Sequence, residues 1–333
     1  VSGALHYADT VTEAHRPPKY LVWLAVVGSI LAGALTATQS FINGQLGREL
    51  QNGILAAWFS FVGGLIVILL VFAFARRSWR RVRILARQVR TRTLPWWMLL
   101  GGLAGAAYVV TQGLTVGILG VALFTLGVVA GQISASIVFD RFGLAPGAKL
   151  EATWRRIAGG SLAVIAVAVA VSSQLSGVAT LWLIVLPFAG GVIVAFQVGI
   201  NGHVNLASGS GIVTASLNYL VGTIALTVAA AISVLAQGWP TVWPEQWWLY
   251  TGGPFGLVFI ALASYFVRIV GVLVLGMSSI AGQLIASLAL DALAPVTRNP
   301  ITIGLVVGTA LALVALIVAS WREFRPARSA NVQ

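Results

Sequence analysis

Charged residues are absent from ten stretches of this chain, each near the length a helix needs to cross a hydrocarbon core of roughly 30 Å. They fall at 21-42, 54-75, 96-116, 119-139, 157-174, 180-200, 211-235, 248-267, 270-290 and 300-320. In lipid only helices and closed barrels satisfy their own backbone groups, and unbroken apolar runs without strict alternation select helices. Charged residues make up 8% of the chain, against roughly 25% in a soluble domain. The expected fold is therefore an all-α membrane protein with ten transmembrane helices.

The net charge of +12 would point to nucleic acid in a soluble protein. Here the basic residues lie between the apolar runs, where they set topology, so nucleic acid is not an expected partner. The chain has no cysteine, which excludes disulfides and thiolate metal sites, and His6, His15 and His203 are too scattered for a metal cluster. No cofactor is expected. The first run is long and ends in Gln and Asn, which reads as a retained helix rather than a cleaved signal peptide.

With alternating crossings, every Lys and Arg except Arg48 and Arg298 falls on one side. That side holds Arg16, Lys19, Arg141, Lys149, Arg155, Arg156, Arg268, Arg322, Arg325, Arg328 and a dense loop of Arg76, Arg77, Arg80, Arg81, Arg83, Arg87, Arg90 and Arg92. The excess of positive charge places both termini in the cytoplasm of a cell inner (plasma) membrane. The loop also carries Val82, Leu85 and Val89 at helical spacing, so it is either a solvated topology signal or a surface helix on anionic lipid.

The runs occur as two copies of five. Gln39-x-x-x-Asn43-Gly44 returns as Gln197-x-x-x-Asn201-Gly202, and at this spacing Gln and Asn share one helix face. Pro95-Trp96-Trp97 leading to Gly101-Gly102 and Gly105 matches Gln246-Trp247-Trp248 leading to Gly252-Gly253 and Gly256. Ala130-Gly131-Gln132 matches Ala281-Gly282-Gln283, and both copies then reach an aspartate, Asp140 and Asp291. Asn218-Tyr219-Leu220-Val221-Gly222 aligns with Phe59-Ser60-Phe61-Val62-Gly63. Five is odd, so the second copy enters the bilayer inverted. The division is a tail at 1-20, repeats at 21-175 and 176-321, and a tail at 322-333.

Three of these blocks resemble the YdcZ-like membrane proteins of the drug/metabolite transporter superfamily: Gln39-x-x-x-Asn43-Gly44-x-Leu46, Ser60-Phe61-Val62-Gly63, and Gly131-Gln132 leading to Asp140-x-Phe142-Gly143. The resemblance covers about residues 21 to 320 and implies a ten-helix inner-membrane transporter; it brings no established substrate residues. Asp291 is followed by Ala-Leu-Ala-Pro295 without the Phe-Gly, a departure that sets the two aspartates apart.

No acid lies inside an apolar run, so coupling through a central carboxylate is not expected. The candidate pathway for a small-molecule solute consists of Gln39 with Gln283 toward the outer end and Gln132 with Gln197 toward the inner end, capped by Asn43 and Asn201. The competing reading has these amides only joining helices, each bond contributing on the order of 1 kcal/mol. Asp140 and Asp291 end helices, where a negative charge opposes the dipole and calls for a cation. Arg141, Arg155 or Arg156 would serve Asp140, and Arg298 would serve Asp291. They are either gating or proton-relay groups or plain interfacial salt bridges. The twelve tryptophans cluster at run ends as interfacial anchors, and the Gly pairs four apart allow close helix approach. The expected function is secondary transport by alternating access. A membrane enzyme lacks a nucleophile and base within the bundle, and a non-transporting assembly or lipid-handling protein is the alternative.

Overall fold

The computed structural model describes residues 18–74, 76–144, 153–174, 182–294 and 301–320. Residues 1–17 of the first tail, all of the second, and Lys149 and Arg298 lie outside these, and α1 takes in Lys19 and Tyr20 from the expected tail. The described chain is helical throughout, without strands. Its elements are α1 (Lys19–Glu49), α2 (Gly53–Phe74), α3 (Arg76–Arg90), α4 (Gly101–Leu119), α5 (Val121–Phe142), α6 (Trp154–Gln174), α7 (Val185–Ser208), α8 (Gly211–Gln237), α9 (Gly252–Leu293) and α10 (Ile303–Ser320). Tight 3₁₀ turns at Trp96–Leu100 and Trp247–Tyr250 lead into α4 and α9.

Eight helical segments are long and apolar enough to cross a membrane; Gly252–Val267 and Ile303–Ala319 are apolar but shorter. This is an all-α membrane protein. Its outer surface carries Trp23, Leu31, Leu70, Ile224, Val228 and Ile232, each more than half exposed. Such a face would aggregate in water and is at home in lipid.

Local chemistry fixes the helix ends. Asn52 caps α2 by accepting the Leu55 N–H at 3.0 Å, while its amide donates to Ser233 Oγ at 2.9 Å and ties α2 to the far end of α8. Gly143 closes α5 with φ 72°, its N–H bonding the Asp140 carbonyl and that of Leu144 the Phe139 carbonyl. The sixth apolar segment begins later than its hydropathy suggests, at Val185, with Pro187 in a first turn that needs no donor.

Two breaks are built alike. Gly120 separates α4 from α5 at φ 84°, ψ 164°, and Gly271 divides α9 at φ 79°, ψ 166°. A side chain is strained at such angles, so glycine sets the bend. The amphipathic stretch forms α3 as its spacing requires, but its apolar stripe faces protein. Leu85 is buried, with Val82 and Val89 beside it, against Phe72, Leu94, Val204 and Val213.

Candidate functional site

The two amide stripes lie on the two glycine stripes, each on that of the other half. A Cβ built at Gly252 would stand 2.1 Å from Asn43 Oδ1, and one at Gly256 would stand 2.9 Å from Gln39 Oε1. In the counterpart crossing, a Cβ at Gly101 would stand 2.5 Å from Asn201 Oδ1 and one at Gly105 would stand 2.6 Å from Gln197 Nε2. Any side chain at these glycines would displace an amide. Gln197 also donates to the Gly101 carbonyl at 3.0 Å.

The same reciprocity extends outward from that centre. Gly253 packs on the Ser60 carbonyl and Gly102 on the Asn218 carbonyl; Gly64 meets the Tyr219 ring and Gly222 the Phe61 ring. Phe61 and Tyr219 themselves sit 5.3 Å apart between ring centres. These contacts correct the alignment of α2 with α8 by one residue: Ser60 corresponds to Asn218, Phe61 to Tyr219 and Gly64 to Gly222. The motif Val-Gly alone misleads, because Gly63 and Gly64 are adjacent and only Gly64 is enclosed. Further out, Gly33 rests on the Ser279 carbonyl as Gly191 does on that of Val128, and Gly282 on Ile30 as Gly131 does on Phe188.

The polar networks at the two ends differ. At one, Asn43 Nδ2 donates to Gln112 Oε1 at 2.7 Å and Gln112 Nε2 donates to Ser40 Oγ at 3.0 Å, binding α1 to α4 in a fully buried cluster. Asn201 is the counterpart of Asn43, but the position equivalent to Gln112 is Ala263. Correspondingly α1 packs along α4, whereas α7 makes no comparable contact with α9 among the described residues. Gln112 escaped the sequence reading because it is not duplicated; a lone amide in an apolar run was the only signal.

The aspartates also part company. Asp140 pairs with Arg156, one of the three cations expected for it. Asp291 does not rest on an arginine among the described residues. Its two oxygens accept the N–H groups of Val121 and Ala122 at 2.9 and 2.8 Å, capping α5 from the other half. Those donors have no partner within their own helix, and the dipole there favours an anion, so the charge at the unfavourable end of α9 is stabilised by the start of α5.

Gln132 and Gln283 are half-buried, each following a glycine, Gly131 or Gly282, that carries a helix crossing. The described contacts of Gln39 and Gln197 are with glycines of the opposite half rather than with Gln283 and Gln132. Several buried polar atoms have no partner among the described residues: Asn43 Oδ1, Ser60 Oγ, Thr36 Oγ1, Thr223 Oγ1 and Ser279 Oγ. In lipid such groups are expensive, and Asn43, Ser60 and Ser279 lie at crossings between the halves.

Comparison with known families finds the model described as "Putative inner membrane exporter, YdcZ" matching twice, over residues 24–169 and 182–318. The chain belongs to this family. Membership of a family so described supports a membrane transporter. Comparison with curated proteins finds no match. A solved crystal structure is 18% identical over 93% of this chain and 100% of its own length, with a TM-score of 0.52. That likeness shows that the YdcZ chain shares its fold.

Proposed function

We propose that this chain is an inner-membrane exporter that moves a small solute by alternating access between two five-helix halves, 21–175 and 176–321, inserted in opposite senses. The ten crossings comprise the eight long helical segments and the two shorter apolar ones, with both termini in the cytoplasm as the arginine distribution requires. The observation that carries this reading is reciprocal packing with unequal seals. The central crossings are made twice with matching residues, yet among the described residues the Asn43–Gln112–Ser40 network and the Asp291 cap are found at one end without counterparts at the other. Two related packings of similar energy are what alternating access needs.

In this reading Gln39, Asn43, Gln132, Gln197, Asn201 and Gln283 border the pathway, and the unpaired hydroxyls offer a small polar solute its hydrogen bonds. Asp140 and Asp291 act at the gates. The exposed arginines of α3, Arg80, Arg83, Arg87 and Arg90, face away from the bundle that holds Leu85 and meet anionic lipid headgroups.

The test begins with a thermal-shift screen of metabolites and cationic drugs on the purified protein, followed by counterflow of any stabilising compound in proteoliposomes. Orientation is tested in parallel with Thr91→Cys and Thr241→Cys, both exposed and on corresponding loops of the two halves. The reading requires labelling from opposite sides; labelling from one side ends it. Ser78 is unsuitable for this purpose because the fold buries it.

A further inference from the structure

The Asp291 cap on α5 has a structural counterpart that is not engaged. Gly120 and Gly271 share a backbone conformation and each opens a helix, α5 in one case and the second part of α9 in the other. A Cβ at Gly120 would stand 2.9 Å from Asp291 Oδ2; at Gly271, no described atom lies within 4 Å. Asp140 is the residue that corresponds to Asp291, and it is held elsewhere by Arg156. Arg156 is itself mostly buried, and its Nη1 has no partner among the described residues.

We infer that the two aspartates are alternating clasps: in the state facing the other way, Asp140 leaves Arg156 to cap the helix that starts after Gly271, while Asp291 releases Val121 and Ala122. This deepens the alternating-access reading and rests on it. The physical reason for exchange rather than simultaneous closure is the antiparallel placement of α5 and the second part of α9. Each carries a glycine start at one end and an aspartate at the other, so tilting the pair shortens one end-to-end gap and lengthens the other. Arg156 has no equivalent in the second half, where Leu305 occupies the corresponding place in α10. Arg156 holds Asp140 away from that helix start, which favours the state seen here.

Thr125 and Gly276 are corresponding positions one turn inside the two helix starts, and the chain has no native cysteine to confuse their labelling. Thr125 is buried behind the engaged clasp, whereas a Cβ at Gly276 meets no described atom within 4 Å. Thr125→Cys and Gly276→Cys are each combined with Asp291→Asn, Asp140→Asn or Arg156→Gln and exposed to a charged methanethiosulfonate reagent in proteoliposomes. Asp291→Asn and Arg156→Gln are expected to speed labelling at 125 and slow it at 276 by about fivefold, the effect of losing one cap. Asp140→Asn is expected to leave 276 open and to protect 125 fully. Arg156→Gln keeps both carboxylates and decides the matter if Asp291→Asn does not fold. A folded Arg156→Gln protein with both rates unchanged, or Asp291→Asn raising both together, overturns the exchange. The labelling needs no solute, so absence of counterflow with intact reciprocal labelling would refute the exporter reading and not the clasps.

Discussion

Replacing Gln112 with Met removes the buried network that locks α1 to α4 while keeping the length of the side chain. Gln112 accepts from Asn43 at 2.7 Å and donates to Ser40 at 3.0 Å, and all three residues are at most 2% exposed. Hydrogen bonds between transmembrane helices average about 0.6 kcal/mol, so the two together contribute about 1.2 kcal/mol. Asn43 Oδ1 already has no partner among the described residues, and loss of Gln112 strips its amide nitrogen as well. Stranding that buried group adds about 1 kcal/mol at the low end of its usual cost. If the network exists only in the state seen here, the whole of about 2 kcal/mol is lost from that state, a shift of roughly 30-fold toward the other. The assay is the rate at which Thr36→Cys reacts with a membrane-impermeant thiol reagent supplied from the Asn43 end. Thr36 suits it because its hydroxyl makes no described bond that cysteine would break. Asn43→Ala added to Gln112→Met should raise the rate little further, since both remove one contact. An unchanged rate accompanied by a lower melting temperature would refute the argument, because the network would then persist in both states as ordinary helix packing.

The reverse experiment is Ala263→Gln, which supplies Asn201 with the partner that Asn43 already has; labelling of Gly276→Cys should slow, and an unchanged rate would mean that α7 and α9 do not approach. Gly253→Ala places a methyl against the Ser60 carbonyl and should cost about 1–3 kcal/mol in thermal unfolding, while Gly276→Ala, with no described atom within 4 Å of the new methyl, should be within about 1 kcal/mol of the parent. Changing Arg80, Arg83, Arg87 and Arg90 together to Gln should abolish stabilisation by phosphatidylglycerol relative to phosphatidylcholine. At about 1 kcal/mol per arginine, that effect should be large at low salt and fade as salt is added; a parent protein indifferent to lipid charge would remove the lipid contact from the proposal.

The sequence makes Gln39, Asn43, Gln197 and Asn201 visible because they recur, and Gly101, Gly105, Gly252 and Gly256 for the same reason. What it does not display is that one recurring set is the complement of the other. Helical spacing gives the face on which Gln39 and Asn43 lie, but the partner face belongs to a helix more than 200 residues away, and nothing local selects Gly256 and Gly252 over other small residues. Asp291 was legible as a charge in need of compensation. The compensation comes from two backbone N–H groups at the start of α5, which have no signature of their own beyond Gly120. Leu85 was legible as one side of an amphipathic stripe, and whether lipid or protein covers such a stripe depends on what lies beside it in the fold.

Duplication is readable because the matching contacts use matching residues in both copies, and the asymmetries hide because a comparison of copies discards what is not shared. Gln112 and Arg156 each lack a counterpart, Gly271 has no described neighbour where Gly120 meets Asp291, and all three lie where the two ends of the molecule differ. A strictly symmetric chain would have no preferred resting state. In the proposed alternating-access cycle Gln112 stabilises one seal, Arg156 withholds Asp140 from the other, and both favour the same conformation. Solute binding then has to supply differential affinity large enough to reverse that bias, of the order of the one or two hydrogen bonds by which the ends differ.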